Sequence, residues 1–166
     1  MKSENKGNKG KSALSRHCEP KTSFSAKQSR AVNSGLRIID ANLNRCREGL
    51  RVVEDSLRFV LNDEVLYKKV RRTRHDTDKI LRDKYGTLIS ERDTYRDYGR
   101  KMPETSKKNL SAILIANFKR AQEALRVLEE YSKSFKPEAA PQFKKQRYAA
   151  YNLEKAVFLK YGKGKL

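Results

Sequence analysis

The sequence predicts an all-α fold, a four-helix bundle built from two helical hairpins that a pseudo-twofold axis relates and a long polar central loop joins. Two observations carry this prediction. Apolar residues recur at alternating steps of four and three along the first long segment, and the same pattern returns at a constant offset of 75 residues. Such steps place apolar side chains on one stripe of a helix that packs nearly parallel to a neighbour.

Length and charge bound the class of protein. The chain has 166 residues, 39 Lys and Arg against 20 Asp and Glu, and a formal net charge of +19. One domain with one core is expected at this length, and a partner of complementary charge carries phosphates or carboxylates. The longest apolar run, Ala112 to Ala116, is far shorter than the ~20 residues that span a bilayer. With two cysteines and no apolar leader, the expected location is the cytoplasm, without a disulfide framework.

Three segments are expected along the chain. Residues 1–34 are poor in apolar side chains and are predicted to form a disordered basic tail, residues 35–162 form the helical domain, and residues 163–166 form a C-terminal tail. The predicted helices run from about Arg37 to Leu61, Glu64 to Tyr85, Ser106 to Phe135 and Gln142 to Lys160. Asn62-Asp63 supplies the break and the cap for the second helix, which Gly86 ends, and Leu88 to Glu104 form the loop.

The third helix repeats the first in its apolar and polar positions. The first seam consists of Ile39, Leu43, Cys46, Leu50, Val53, Leu57 and Val60. The second consists of Leu114, Phe118, Ala121, Leu125, Leu128, Ser132 and Phe135. The repeated polar residues are Asn42, Arg45, Glu48, Arg51 and Glu54, matched by Asn117, Arg120, Glu123, Arg126 and Glu129. A duplicated hairpin explains the repeated apolar positions, because packing alone demands them.

The repeated polar residues have two interpretations. They can form ion pairs three residues apart and fix helix register, each worth a few tenths of a kcal/mol. Alternatively, paired arginines bind phosphate, while Asp, Glu and Asn oxygens hold Mg²⁺, which together suit phosphoryl transfer. Neighbouring positions differ between the halves, as Asn44 does from Lys119, whereas the polar set is retained. The two histidines and eight glycines supply neither a zinc site, a catalytic triad nor a glycine-rich phosphate loop.

The stretch from Arg37 to Asp55, which reads RIIDANLNRCREGLRVVED, closely resembles the small helical hydroxymethylpyrimidine phosphate kinases of thiamin biosynthesis. These kinases are often found fused ahead of thiamin phosphate synthase. The resemblance covers residues 36–161 and continues through four further motifs: Arg74-His75, Arg92-Asp93-Thr94, the stretch from Ala116 to Tyr131, and the stretch from Arg147 to Glu154. Two positions depart from the family's loop pattern, Arg96 for a glycine and Arg100 for a threonine.

The resemblance implies an ATP- and Mg²⁺-dependent kinase that converts 4-amino-5-hydroxymethyl-2-methylpyrimidine phosphate to its diphosphate. Because the sequence ends at Leu166, we expect a stand-alone kinase. The residues expected to act in catalysis are Arg51, Arg126 and Arg92. Those expected to bind substrate phosphates are Asn42, Arg45, Asn117, Arg120 and Arg147. Those expected to hold the metal are Asp93, Asp97, Glu48 and Glu123.

Two other functions stay open at this point. The charge of +19 also suits a basic helical module that binds nucleic acid, although the sequence lacks an aromatic-rich basic strip and any known reading motif. A protein that binds the pyrimidine without turnover is the third possibility. The oligomeric state is left open.

Overall fold

The computed structural model describes residues 24–103, 106–107 and 109–162. Five α-helices form its framework: α1 (Phe24–Asp55), α2 (Glu64–Lys79), α3 (Tyr85–Ser90), α4 (Leu110–Phe135) and α5 (Ala140–Tyr161). Short turns connect them, a π turn at Ser56–Val60 and 3-10 turns at Arg82–Lys84, Tyr98–Lys101 and Pro137–Ala139. The described residues contain no β-strand, which confirms the predicted all-α class. None of these helices is long and apolar enough to cross a membrane.

The four long helices contact one another in a ring. The helix pairs α1 and α4, α4 and α5, α1 and α2, and α2 and α5 all pack together, with α1 against α4 the most extensive of them, while α3 lies on α1. Each hairpin, α1–α2 and α4–α5, therefore packs on the other through both of its helices. The pseudo-twofold relation between the hairpins stays a prediction, which these equivalent contacts support.

Both predicted seams form the core. The buried members of the first seam are Ile39, Leu43, Cys46, Leu50 and Val53 on α1 and Leu57 in the π turn that follows it. Those on α4 are Leu114, Phe118, Ala121, Leu125, Leu128 and Ser132. The inner face predicted for the second helix is also buried, through Leu66, Val70, Thr73 and Thr77 on α2 and Ile80 directly after it. Burial raises the pKa of the Cys46 thiol to about 12, so this cysteine is a small core residue rather than a nucleophile.

One seam residue does not fit the prediction. Val60 is 60% exposed. The chain from Ser56 to Val60 forms a π turn, in which the Leu61 N–H donates to the Ser56 carbonyl at 3.0 Å. A π turn holds more residues than an α turn, and the residues along it therefore rotate by a smaller angle each. By the end of the turn, Val60 no longer lies on the stripe that faces the core.

The break after α1 is confirmed in detail. Asn62 has a φ of 50°, a left-handed conformation that asparagine tolerates better than most residues. Asp63 is the N-cap of α2, and its Oδ1 accepts a hydrogen bond of 3.0 Å from the Leu66 N–H. Asp63 Oδ2 also accepts hydrogen bonds from Lys160 and Tyr161, which fastens the end of α5 to the start of α2.

Several predicted boundaries are wrong. Helix α1 begins at Phe24, so the last part of the predicted tail is helical, whereas residues 1–23 and 163–166 lie outside the described residues. Helix α2 ends at Lys79, and Gly86 lies inside α3 instead of ending α2. The turn after Lys79 folds α3 onto α1, which buries Leu88, a residue predicted to lie in the loop.

Helix α4 begins at Leu110 rather than near Ser106, because Asn109 caps it by accepting a hydrogen bond from the Ala112 N–H at 2.9 Å. Helix α5 begins at Ala140, with Pro141 in its first turn, where a proline costs no helical hydrogen bond. Within the predicted central loop, Tyr98–Lys101 form a 3-10 turn, and residues 104, 105 and 108 lie outside the described part of the chain.

Candidate functional site

An open groove runs between α1 and α4, and we call it the α1–α4 groove. It consists of two adjoining depressions that share Ala116 and Arg120. The larger, of about 570 Å³, is lined by Asn42, Arg45, Ala116, Lys119, Arg120, Glu123, Ala124 and Val127. The smaller, of about 450 Å³, is lined by Val52, Pro103, Lys107, Ile113, Ala116, Asn117 and Arg120. Both volumes lie in the range of small-molecule sites.

The groove is strongly positive. Its charged lining comprises the four cations Arg45, Lys107, Lys119 and Arg120 and the one carboxylate Glu123. All of these side chains belong to exposed residues. Cations gathered around a concave surface attract anionic ligands, and guanidinium groups bind phosphate oxygens bidentately. The predicted residues Asn42, Arg45, Asn117, Arg120 and Glu123 are brought together here.

The two asparagines of the groove make the same hydrogen bond in both halves. Asn42 Nδ2 donates to the Ile38 carbonyl at 2.9 Å, and Asn117 Nδ2 donates to the Ile113 carbonyl at 2.8 Å. A backbone carbonyl only accepts, so the amide nitrogen must face it in each case. The Oδ1 atoms are therefore the acceptors left at the groove. An ionised phosphate offers no donor to these oxygen atoms, so this arrangement does not favour the predicted role of Asn42 and Asn117 in binding phosphates.

A second depression lies between α1 and α2, and we call it the α1–α2 crevice. It measures about 440 Å³ and adjoins the groove at Val52. Its lining residues are Asn44, Arg47, Glu48, Arg51, Val52 and Arg74. The predicted residues Glu48 and Arg51 lie here, apart from Glu123 and Arg120 in the groove. The arginines expected to act at the site are therefore divided, with Arg51 in the crevice and Arg45 and Arg120 in the groove.

A buried carboxylate holds the arginines of the crevice. Glu54 is 1% exposed, and Arg74 Nε donates to its Oε2 at 2.7 Å. Arg51 donates to Glu54 Oε1 at 3.4 Å and to Asp55 Oδ2 at 3.0 Å. Glu54 was not predicted as a site residue. Its position beside the apolar seam and its repetition as Glu129 were the signals that could have identified it.

The second half repeats this carboxylate–arginine cluster. Arg147 donates to Glu129 Oε2 from Nε at 3.0 Å and from Nη2 at 2.8 Å, and Arg126 donates to Glu129 Oε1 at 3.1 Å. Neither arginine lines the groove or the crevice. The structure therefore places the predicted residues Arg126 and Arg147 at the α4–α5 contact, paired with a buried glutamate, which agrees with the ion-pair interpretation of the repeat.

The central loop is fastened to α1 by a bidentate ion pair. Arg92 donates from Nε and Nη2 to the two carboxylate oxygens of Asp40, both at 2.7 Å, and Asp40 is buried. Arg37 adds a hydrogen bond to the Asp93 carbonyl. Arg92 thus anchors the loop in this structure and is not among the residues that line the groove. Asp40 is a further residue that sequence reasoning missed, since 52 residues separate it from its partner.

The predicted metal ligands are dispersed. Asp93 Oδ1 accepts from the Arg96 N–H and Asp97 Oδ1 from the Gly99 N–H, so both carboxylates shape the loop. Glu48 lines the crevice and Glu123 the groove. Among the described residues, no three His, Cys, Asp or Glu side chains converge as a metal site. A protein cage for a cation is therefore not formed by this part of the chain.

The chain is similar to known proteins over most of its length. The chain is 43% identical over 121 residues to a protein of Nostoc punctiforme named thiamine-phosphate synthase, which covers 71% of this chain and 34% of that protein. A Rhodopirellula baltica protein of the same name is 41% identical over 130 residues, covering 75% of this chain and 34% of that protein. The chain thus spans about a third of the length of these relatives. No solved structure matches it.

The family model that matches describes the ThiD2 family, and the match extends over residues 37–156. This range contains α1 from the predicted start of the first helix at Arg37, the loop anchored by Arg92, both depressions of the α1–α4 groove and most of α5. With the matched segment covering the bundle and its groove, the chain belongs to the ThiD2 family.

Proposed function

We propose that this chain is a kinase of thiamin biosynthesis that transfers the γ-phosphoryl group of ATP to 4-amino-5-hydroxymethyl-2-methylpyrimidine phosphate and forms the diphosphate. The observation that carries the proposal is the α1–α4 groove, in which four cations and one carboxylate converge from both halves of the bundle. Membership of the ThiD2 family and similarity to proteins named thiamine-phosphate synthase support the pathway.

The chemistry requires charge neutralisation and alignment more than proton transfer. The acceptor is already an anionic phosphate oxygen, so a strong general base is unnecessary, and catalysis depends on holding two anionic groups in line. Arg120 lines both depressions, which supports a role in contacting both substrates. Arg45 and Lys119 bind the nucleotide phosphates in the larger depression, and Lys107 binds the acceptor phosphate in the smaller one.

The donor set of the groove fits Mg²⁺ that arrives with the nucleotide. Mg²⁺ usually keeps several waters and binds through one or two carboxylates together with substrate phosphates. Glu123 is the carboxylate of the larger depression and is the residue that would hold it. When bound there, the ion neutralises charge on the phosphates. Glu48 in the crevice and the loop residues Asp93 and Asp97 are less suited, because none of them lines the groove.

A direct test is to incubate the protein with ATP, Mg²⁺ and the pyrimidine phosphate and to separate the products. The proposal predicts ADP and the pyrimidine diphosphate in equal amounts, with no ADP when the acceptor is omitted. Absence of the diphosphate from a folded protein that binds neither substrate would contradict it.

The charge of +19 keeps a nucleic-acid-binding module as the second candidate. Binding of this kind weakens steeply as salt rises, because phosphate contacts release counterions. Titration with single-stranded and duplex oligonucleotides at two salt concentrations distinguishes the candidates. Tight, salt-dependent binding by a protein without transferase activity would favour the second candidate.

A further inference from the structure

The side-chain orientation of Asn42 and Asn117 is set by their own helices. Each amide nitrogen donates to the carbonyl four residues earlier, Ile38 for Asn42 and Ile113 for Asn117, at 2.9 and 2.8 Å. The opposite orientation would set two acceptor oxygens against each other, so the amide cannot rotate without losing this bond. The same bond in both halves means that the same atom, Oδ1, is presented at equivalent positions.

These oxygen atoms lack a donor within the described part of the chain. Asn42 is 6% exposed and lines the larger depression, but only its nitrogen takes part in a hydrogen bond there. Asn117 lines the smaller depression in the same way. Neither Oδ1 is among the buried side-chain atoms that lack a partner, so both oxygen atoms are accessible from their depressions. A ligand that brings an N–H group to such an oxygen gains a hydrogen bond there.

The surroundings of each asparagine combine apolar walls with cations. Ala116, Ala124 and Val127 share the larger depression with Asn42. Val52, Ile113 and Ala116 share the smaller depression with Asn117. The larger depression also contains Arg45 and Lys119, and the smaller one contains Lys107. Arg120 lines both depressions. An acceptor oxygen, apolar walls and a nearby cation together suit an aromatic ring that carries an amino group and a phosphate arm.

We propose that Asn42 and Asn117 recognise the rings of the two substrates, each through a hydrogen bond that Oδ1 accepts from an exocyclic amino group. The inference rests on the proposed function, because adenine and the 4-aminopyrimidine of the acceptor both carry such a group beside a phosphate. Asn42 binds the adenine amino group, because its depression is the larger of the two. The same depression contains Lys119, which binds triphosphate oxygens, and Glu123, which binds the Mg²⁺ that the triphosphate carries. Asn117 binds the amino group of the aminopyrimidine. A duplicated hairpin thereby supplies two similar subsites for two chemically similar ligands.

The test compares Asn42→Leu with Asn117→Leu, each serving as the control for the other. Leucine keeps the approximate shape and removes the acceptor. Steady-state kinetics are measured with ATP and with inosine triphosphate, which carries a carbonyl oxygen where adenine carries its amino group. Thermal unfolding of each variant accompanies the kinetics, so that a loss of folding is recognised.

Asn42→Leu is expected to raise the KM for ATP about tenfold and to abolish most of the preference for ATP over inosine triphosphate, with the KM for the acceptor unchanged. Asn117→Leu is expected to raise the KM for the acceptor about tenfold and to retain the nucleotide preference. A purely structural role would lower activity in both variants without changing this preference, and that result overturns the inference. A reversed pattern overturns the assignment of the two halves.

The wild-type protein keeps the test decisive if neither variant folds. Equal kcat/KM values for ATP and inosine triphosphate in the wild type overturn the inference while leaving the kinase activity established. Absence of any phosphoryl transfer by the folded wild type overturns the proposed function, and the inference with it. A clear preference for ATP supports recognition of the amino group.

Discussion

Glu54 and Arg74 join α1 to α2 through a hydrogen bond of 2.7 Å from Arg74 Nε to Glu54 Oε2. The Glu54 side chain is 1% exposed and that of Arg74 14% exposed, so both charges are withdrawn from water. Removing one member of such a pair leaves the other uncompensated, whereas the intact pair is close to neutral for stability. The pair therefore fixes how the two helices of the first hairpin meet.

Glu54→Gln is expected to lower the free energy of unfolding by about 3 kcal/mol, because Arg74 loses its counter-charge inside the structure. Chemical denaturation measures the change. The matched control is Asp76→Asn, which removes the charge from exposed pairs with Arg72 and Lys79 and is expected to cost less than about 0.5 kcal/mol. Equal changes in the free energy of unfolding for the two substitutions would show that the buried pair contributes no more to stability than the exposed ones.

Asp63 gives the protein a defined acid sensitivity. Burial would raise the pKa of its carboxyl, but hydrogen bonds from Lys160, the Leu66 N–H and Tyr161 outweigh burial and lower the pKa to about 2. The unfolded chain has a pKa of about 3.9 for this group. A lowered folded pKa means that the stabilisation is complete above pH ~4 and is lost as the pH falls towards 2.

Asp63→Asn is expected to remove about 1–2 kcal/mol of the stability that the wild type loses between pH ~4 and pH 2. The value is this small because Lys160 is partly exposed and water screens its attraction to Asp63. Asparagine still caps α2, so the difference reports the charge rather than the cap. Unfolding measured between pH 2 and pH 6 tests this. A variant whose acid profile parallels that of the wild type would refute it.

Helix α1 lies close to α4 at Gly49. A Cβ atom added there would lie 2.8 Å from the Asn117 carbonyl oxygen, closer than real Cβ contacts. Gly49→Ala is expected to cost about 1–3 kcal/mol, because the two helices must separate. Gly86→Ala is the control, since a Cβ atom there meets nothing within 4 Å, and it is expected to stabilise by about 0.4–1 kcal/mol. Chemical denaturation of both variants measures these changes. An unchanged free energy of unfolding for Gly49→Ala would contradict the close packing of α1 on α4.

Periodicity was sufficient to predict the core but not the ends of the helices. The seam from Ile39 to Leu57 is buried as predicted, because packing in a bundle is decided by the stripe itself. Val60 continues the stripe in sequence but not in space, since the π turn changes the rotation per residue. The residues from Phe24 to Arg37 carry no apolar period, and so nothing in their pattern predicted the start of α1.

The site was predictable only in part, for a similar reason. The repeat at offset 75 identified Asn42, Asn117, Arg45, Arg120 and Glu123, which do line one groove. The same repeat also includes residues retained for packing, among them Arg126, which is paired with Glu129. Contacts between distant positions, such as that of Arg92 with Asp40, leave no trace in spacing. Repetition therefore marks both the groove and the ion pairs without separating them.

The central claim is that the α1–α4 groove is the site of phosphoryl transfer, and single-turnover transfer from ATP to the pyrimidine phosphate by Arg120→Lys tests it most directly. Lysine keeps the positive charge but loses the planar fork that binds phosphate bidentately. The account predicts a rate lower by roughly 10²–10³, by analogy with the loss of one transition-state donor, in a variant of unchanged thermal stability. The control Arg72→Lys, on the exposed face of α2, should retain the wild-type rate. A folded Arg120→Lys protein with the full rate would contradict the placement of the reaction in this groove.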